Sequence, residues 1–154
     1  MALYLIRHGK AGDRGQWDGR DEHRPLSKRG RRQADGLIAQ LRDKPLVRIF
    51  SSPYVRCVKT VEPLARKLGL PVDIADELTE GAPVNESLAL FEKFSTEEVA
   101  LCSHGDVIGN LLEHAQARGV ELGDNVRFEK GSTWVFDFEE HEIVAARYLA
   151  PPAK

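Results

Sequence analysis

A chain of 154 residues, with 42% hydrophobic and 30% charged side chains, has the length and composition of one domain that buries a sizeable core, about 68–70% of its unfolded surface at this size. Its 22 basic and 24 acidic residues leave a formal charge of −2, which excludes a general pull toward nucleic acid or membrane, so any affinity for anions must be local. There is no signal peptide and no apolar run near the roughly 20 residues of a membrane span, and Cys57 and Cys102 match neither a zinc spacing nor a disulfide framework; a soluble cytoplasmic protein with two buried thiols is expected.

The first element, Ala2–Ile6, reads as a strand and runs directly into Arg7-His8-Gly9. "AGDRGQWDGRDEHRP", residues 11 to 25, has glycines but no apolar period, and a polar loop of that length inside a compact domain is often a functional flap. Ser27 then caps a helix whose apolar face is Ala34, Leu37, Ile38 and Leu41, spaced i, i+3, i+4 and i+7. Leu46–Phe50 is the second strand, and Val58, Val61, Ala65 and Leu68 define a second helix closed by Gly69 and Pro71. Val72–Ala75 is a third strand, followed by a shorter helix around Val84, Leu88 and Phe91. A fourth strand, Glu98–Cys102, leads into a helix through Ile108, Leu111, Leu112 and Ala115 that ends near Gly119. "TWVFDF" and "EIVAARYL" flank the polar "EEH" and read as an antiparallel hairpin.

The first, second and fourth strands are apolar almost throughout, which suits strands covered on both faces and implies a parallel core. The expected architecture is α/β: a three-layer α/β/α sandwich with a mostly parallel central sheet, a C-terminal antiparallel hairpin at one edge, and a single domain over residues 1–154.

Three segments just after strands carry the chemistry: Arg7-His8-Gly9, "SSPYVRCVKT" at residues 51 to 60, and "CSHGDVIGNLL" at residues 102 to 112. In a parallel sheet the strand carboxyl ends share one edge, so two histidines and two arginines, His8, His104, Arg7 and Arg56, meet in one crevice. Guanidinium forks and helix N-termini favour phosphoryl oxygens. An imidazole kept neutral by neighbouring cations is a competent nucleophile toward phosphorus, and a second, protonated imidazole stabilises charge on the equatorial oxygens. The five histidines show no i,i+4 or His-Glu-x-x-His spacing, so no metal and no cofactor is expected.

"LIRHG", "SSPYVRCVKT" and "CSHGDVIGNLL", in this order, resemble the histidine phosphatase superfamily, with the phosphoglycerate-mutase-like fold. "RPLSKRGRRQA" resembles the family segment that opens the first helix, with Leu26, Gly30, Gln33 and Ala34 at matching places. The small size, "RCVKTVEPLA", "ELTEG" and "KGSTWVF" resemble the small bacterial phosphohistidine phosphatases and the histidine phosphatase domain linked to Nudix hydrolases in some actinobacteria.

The resemblance implies that His8 is the phosphorylated nucleophile, Arg7 and Arg56 the phosphate clamp and His104 the second imidazole. It also implies that Gly9 permits close backbone approach, that the Gly105 amide donates to the phosphate, and that Glu80 protonates the leaving group, with Glu77 as the alternative. "GAPVNESL" stands where larger members carry a glycine-aromatic-glycine stretch and a long helical insert, so little of a substrate-covering cap is expected.

The implied activity is a metal-free phosphatase acting on a small phosphomonoester or a protein phosphohistidine. The alternatives are a phosphoryl-ligand binding module without turnover and a mutase-type phosphotransferase. A phosphorylated small molecule or phosphohistidine protein is the expected partner, with no nucleic acid and no membrane. Arg14, Arg20, His23 and Arg24 in the long loop either reach a substrate's anionic groups or form a solvated charged loop, and Arg29, Arg31 and Arg32 read as a solvated helix face. Ser132 and Thr133, after Gly131 at the start of the hairpin, either lend a hydroxyl or amide to the pocket or suit a plain turn.

Overall fold

A computed structural model describes residues 1–152 of the chain. Its elements are β1 (Ala2–Arg7), α1 (Lys28–Leu41), β2 (Arg48–Ser51), α2 (Val55–Leu68), β3 (Val72–Ile74), α3 (Val84–Lys93), β4 (Val99–Ser103), α4 (Gly105–Ala117), β5 (Thr133–Glu139) and β6 (Glu142–Leu149). The strands form one six-stranded sheet in the order β3-β2-β4-β1-β5-β6. Four of them, β3, β2, β4 and β1, pair in parallel, whereas β5 runs antiparallel to β1 and to β6.

The alternation of side chains along each strand feeds two cores. Ala2, Tyr4, Ile6, Ile49, Ala100 and Cys102 face α1 and α2, where Leu37, Leu41, Val61 and Leu64 are buried. Leu3, Leu5, Val99 and Leu101 face the other way, onto Leu90 and Phe91 of α3 and Ile108, Leu111 and Leu112 of α4. The antiparallel edge adds Trp134, Phe136 and Phe138 to this second core, with the Phe91 and Phe136 rings edge to face at 5.1 Å. No helix among the described residues is long and apolar enough to cross a membrane.

Local signals explain where elements begin and end. Ser27 accepts a hydrogen bond from the Gly30 amide at 3.1 Å and starts α1, and Gly69, at φ 71°, closes α2 in the left-handed region. Strand boundaries differ slightly from the sequence expectation. β1 continues through Arg7 and β4 through Ser103, while β2 begins only at Arg48 because Val47 is half exposed and bonds the Glu98 carbonyl ahead of the ladder. The β5–β6 turn places Glu140 at φ 50° and His141 at φ 70°, a geometry that glycine or asparagine adopts at lower cost.

The registers Arg7↔Ser103 and Ser51↔Cys102 align the carboxyl ends of β1, β4 and β2. His8, His104 and Ser52, the residues that follow them, therefore emerge at one edge of the sheet.

Candidate active site

Backbone bonds hold the end of β1 close to the end of β4. The His8 amide donates to the Ser103 carbonyl at 3.1 Å, and the His8 and His104 rings lie 5.3 Å apart at 65°. Close packing behind His8 depends on missing side chains. A Cβ on Gly9 would come within 3.0 Å of the Gly30 carbonyl oxygen, and one on Gly30 within 2.0 Å of the Lys10 carbonyl oxygen. Gln33 completes this wall by accepting from the Lys10 amide at 2.8 Å and donating to the Lys130 carbonyl at 3.1 Å.

The His8 ring is oriented by its own neighbour. Nδ1 lies 2.7 Å from the Gly9 carbonyl oxygen, which accepts only from a nitrogen bearing hydrogen; the neutral ring therefore has its lone pair on Nε2. Burial, followed by the charges of His104, Arg56 and Arg7, pushes its pKa down from 6.5 to about 3, against the opposing Gly9 hydrogen bond. The Gly9 amide donates to Thr60 Oγ1 at 2.9 Å, and that hydroxyl donates to the Arg56 carbonyl at 2.6 Å, so the segment after His8 is tied to the first turns of α2.

His104 is almost fully buried. Its Nε2 lies 2.9 Å from Ser52 Oγ and 3.6 Å from Cys57 Sγ, while Nδ1 has no hydrogen-bond partner and sits 3.5 Å from Glu80 Oε1. Arg56, 1% exposed, donates through Nη1 to the Asp21 carbonyl at 3.0 Å and through Nη2 to Asp21 Oδ2 and Glu80 Oε1, both at 3.1 Å; its Nε is buried without a partner. Arg7 donates through Nη1 to the Phe128 carbonyl at 2.9 Å, and its Nε is also buried and unpartnered. A Cβ on Gly105 would fall 2.9 Å from Arg7 Nη2, which shows how closely the guanidinium passes the start of α4.

Buried guanidinium and imidazole nitrogens without partners carry an electrostatic cost that an anion's oxygens relieve. Arg7 and Arg56 line a cavity of about 440 Å³ together with His8, Glu80, Gly105 and Asp106 and with Ala11, Arg14, Arg24 and Lys130, while His104 is not part of its lining and reaches the site through its contact with the His8 ring. The size lies within the range of about 300–1,000 Å³ usual for small-molecule sites.

The structure thus brings together Arg7, His8, Arg56, His104, Glu80 and Gly105, with Gly9 behind His8. Glu77 does not line the cavity; its carbonyl instead receives the Ser87 hydroxyl at 2.9 Å. Ser132 and Thr133 are buried, and neither lines the cavity.

Residues 13–20 of the long loop are exposed, whereas Arg24 is buried and Asp21 turns toward the site. The loop's ends are joined by the Gly12 amide to the Pro25 carbonyl at 3.0 Å, and its sequence contains two 3-10 turns, Arg14–Gln16 and Asp21–His23. Asp21 accepts from Arg56 and, at 3.0 Å, from Arg24 Nε. Burial acts to raise the Asp21 pKa, but the hydrogen bonds and charges of Arg24 and Arg56 outweigh it and hold the carboxyl below its ordinary value. Arg24 is buried, whereas Arg20 and His23 stay at the surface, as do Arg29, Arg31 and Arg32 on α1.

Sequence reasoning missed Asp21, Asp106, Lys130, Thr60 and the Ser52 contact with His104. Only Asp106 carried a signal, by following His104-Gly105 directly; its carboxylate accepts the Gly81 amide at 2.8 Å and so anchors the segment bearing Glu80.

A family model described as the histidine phosphatase superfamily (branch 1) matches residues 3–87, a span that ends before β4 and His104. An 8-oxo-(d)GTP phosphatase of Mycolicibacterium smegmatis is 37% identical over 157 aligned positions, which cover 97% of this chain and 48% of that protein. The chain therefore spans about half the length of this curated relative.

Among solved structures, the protein histidine phosphatase SixA complexed with tungstate superposes with a TM-score of 0.74 at 21% identity, over 99% of this chain and 97% of that one. The mycobacterial glucosyl-3-phosphoglycerate phosphatase Rv2419c in complex with VO3 superposes with a TM-score of 0.70 at 17% identity, over 99% of each chain. At these identities the likeness is one of fold.

Proposed function

The chain belongs to the histidine phosphatase superfamily, and on that premise we propose that it is a phosphatase working through a phosphohistidine on His8. One observation carries the reading: a neutral imidazole, fixed by the Gly9 carbonyl with its lone pair on Nε2, lines a cavity flanked by two arginines and a second histidine. His8 Nε2 attacks phosphorus while Arg7, Arg56 and the Gly105 amide hold the phosphoryl oxygens. His104 Nδ1 donates to the same oxygens, and Ser52 keeps its ring in place.

The P–O bond to the leaving group breaks and Glu80 gives the departing oxygen its proton. Water then attacks the phosphohistidine as the Glu80 carboxylate takes its proton, the N–P bond breaks, and inorganic phosphate, neutral His8 and protonated Glu80 result. Guanidinium and imidazole charges supply the compensation that a metal gives in other phosphatases, so the reaction runs without metal. Glu80 rather than Glu77 takes the acid role because it lines the cavity, 3.5 Å from His104 Nδ1.

The substrate is a small phosphomonoester or a protein phosphohistidine. Two cores sharing one sheet support residues 1–154 acting as a single domain.

Hydrolysis of p-nitrophenyl phosphate in EDTA by wild type, His8→Ala and His8→Gln tests this, together with intact mass for an acid-labile, base-stable phosphoryl adduct. Turnover and adduct in the wild type, both lost in the two variants, are the expected results. A folded wild type showing neither contradicts the proposal and favours a phosphoryl-binding module.

A further inference from the structure

The cavity holds more positive charge than one phosphoryl group engages. Beyond Arg7 and Arg56, it is lined by Arg14 from a 3-10 turn, Arg24 from the end of the long loop, and Lys130 from the segment before β5. The two ends of the long loop and the segment before β5 converge there.

Their protein partners do not account for them. Arg24 is only 7% exposed; its Nε bonds Asp21 and its Nη1 the Gly12 carbonyl at 2.6 Å, while Nη2 has no hydrogen bond among the described residues. Arg14 reaches Asp21 Oδ1 at 3.8 Å, but that carboxylate is already shared with Arg24 and Arg56. Lys130 makes no salt bridge and no side-chain hydrogen bond among the described residues. Burial, then Arg7, Arg24, Lys10 and Arg14, lowers its pKa from the ordinary value, so its surroundings are themselves cationic. Of the two carboxylates lining the cavity, Glu80 bonds Arg56 and Asp106 accepts the Gly81 amide, so neither bonds Arg14, Arg24 or Lys130. Five cations, Arg7, Arg14, Arg24, Arg56 and Lys130, outnumber the three carboxylates that reach them, Asp21, Glu80 and Asp106, and an anionic ligand offsets the excess.

We propose that Arg14, Arg24 and Lys130 form a second anion subsite beside the phosphate pocket, so that the substrate is a small molecule bearing a further phosphoryl or carboxylate group near the scissile phosphate. The inference rests on reading Arg7, His8, Arg56 and His104 as that pocket. Arg24, buried and partly fixed, supplies the rigid part of the subsite; Arg14, with 71% of its side chain exposed, and Lys130 close on the anion from the rim.

Calorimetry at low ionic strength with three non-hydrolysable probes tests the subsite without turnover. Methylphosphonate carries one anionic group, phosphonoacetate adds a carboxylate, and methylenediphosphonate adds a second phosphonyl group. The wild type should bind at least one two-anion probe about tenfold more tightly than methylphosphonate, the scale of one hydrogen bond between charged groups. Arg14→Ala/Lys130→Ala should reduce that preference to about twofold or less. Arg29→Ala/Arg32→Ala, which removes the same charge from the exposed face of α1, should keep it. The probe that gains more identifies the second group as carboxylate or phosphoryl.

Equal binding of all three probes, or a preference that survives Arg14→Ala/Lys130→Ala, overturns the second subsite alone. Absence of methylphosphonate binding together with absence of p-nitrophenyl phosphate turnover overturns the phosphatase reading and this inference with it.

Discussion

The depressed basicity of His8 makes a prediction that is independent of catalysis. Its imidazole is neutral in the folded protein down to about pH 3, whereas in the unfolded chain it titrates near 6.5. Below pH 6.5 the unfolded state therefore binds a proton that the folded state refuses. The stability owed to this group is fully present above pH 6.5 and is lost progressively as the pH falls toward 3.

The loss approaches about 1.4 kcal/mol per pH unit well inside that window, and because the unfolded imidazole is half protonated at 6.5, lowering the pH from 6.5 to 4.5 removes about 2.3 kcal/mol. His8→Gln, which has nothing to titrate there, escapes this loss. Urea denaturation of both proteins at pH 7 and pH 4.5, in phosphate-free buffer, should show the wild type losing about 2–3 kcal/mol more than the variant. A parallel NMR titration of the ring should give no midpoint above about pH 4. Equal losses in the two proteins, or a midpoint near 6.5, would refute the argument that burial and the neighbouring cations keep this ring neutral.

Glu80→Gln should lower kcat/KM for an alkyl phosphomonoester by about 10²–10³-fold, because an alkoxide needs a proton as it leaves, and should change turnover of a phosphohistidine peptide by less than about threefold. Equal losses on both substrates would rule out the acid role. Gly30→Ala should destabilise the fold by about 1–3 kcal/mol, toward the upper end because the new methyl meets the Lys10 carbonyl oxygen 2.0 Å away, a backbone atom that cannot swing aside. The urea midpoint at unchanged m-value measures this, and a change below about 0.5 kcal/mol would show that the loop and α1 separate easily.

What the sequence made legible divides along physical lines. Strands such as Leu3–Ile6 and Val99–Cys102 are apolar on both faces because helices cover both sides of the sheet, and that pattern is visible without coordinates. The residues that follow those strands, His8 and His104, were placed at one edge by the parallel topology alone. Asp21 was invisible because a polar loop has no period, and only folding shows that its carboxylate reaches Arg56 and Arg24. Lys130 was hidden for a similar reason, since it stands in an irregular stretch between α4 and β5. Strand ends slipped by a residue or two because ladder bonds, rather than side-chain character, decide where pairing stops.

The register between β1 and β4 has a consequence for how function is acquired during folding. His8 and His104 come from distant parts of the chain and meet only after β1 has paired with β4, and Ser52 and Arg56 join them once β2 has paired with β4 on its other side. Contacts of such long sequence separation form late and slowly, and no fragment that lacks β4 can assemble the pair. Oxyanion binding is then a reporter of the completed sheet: ligand affinity and global stability are linked, each tenfold rise in saturating ligand adding about 1.4 kcal/mol to the folded state.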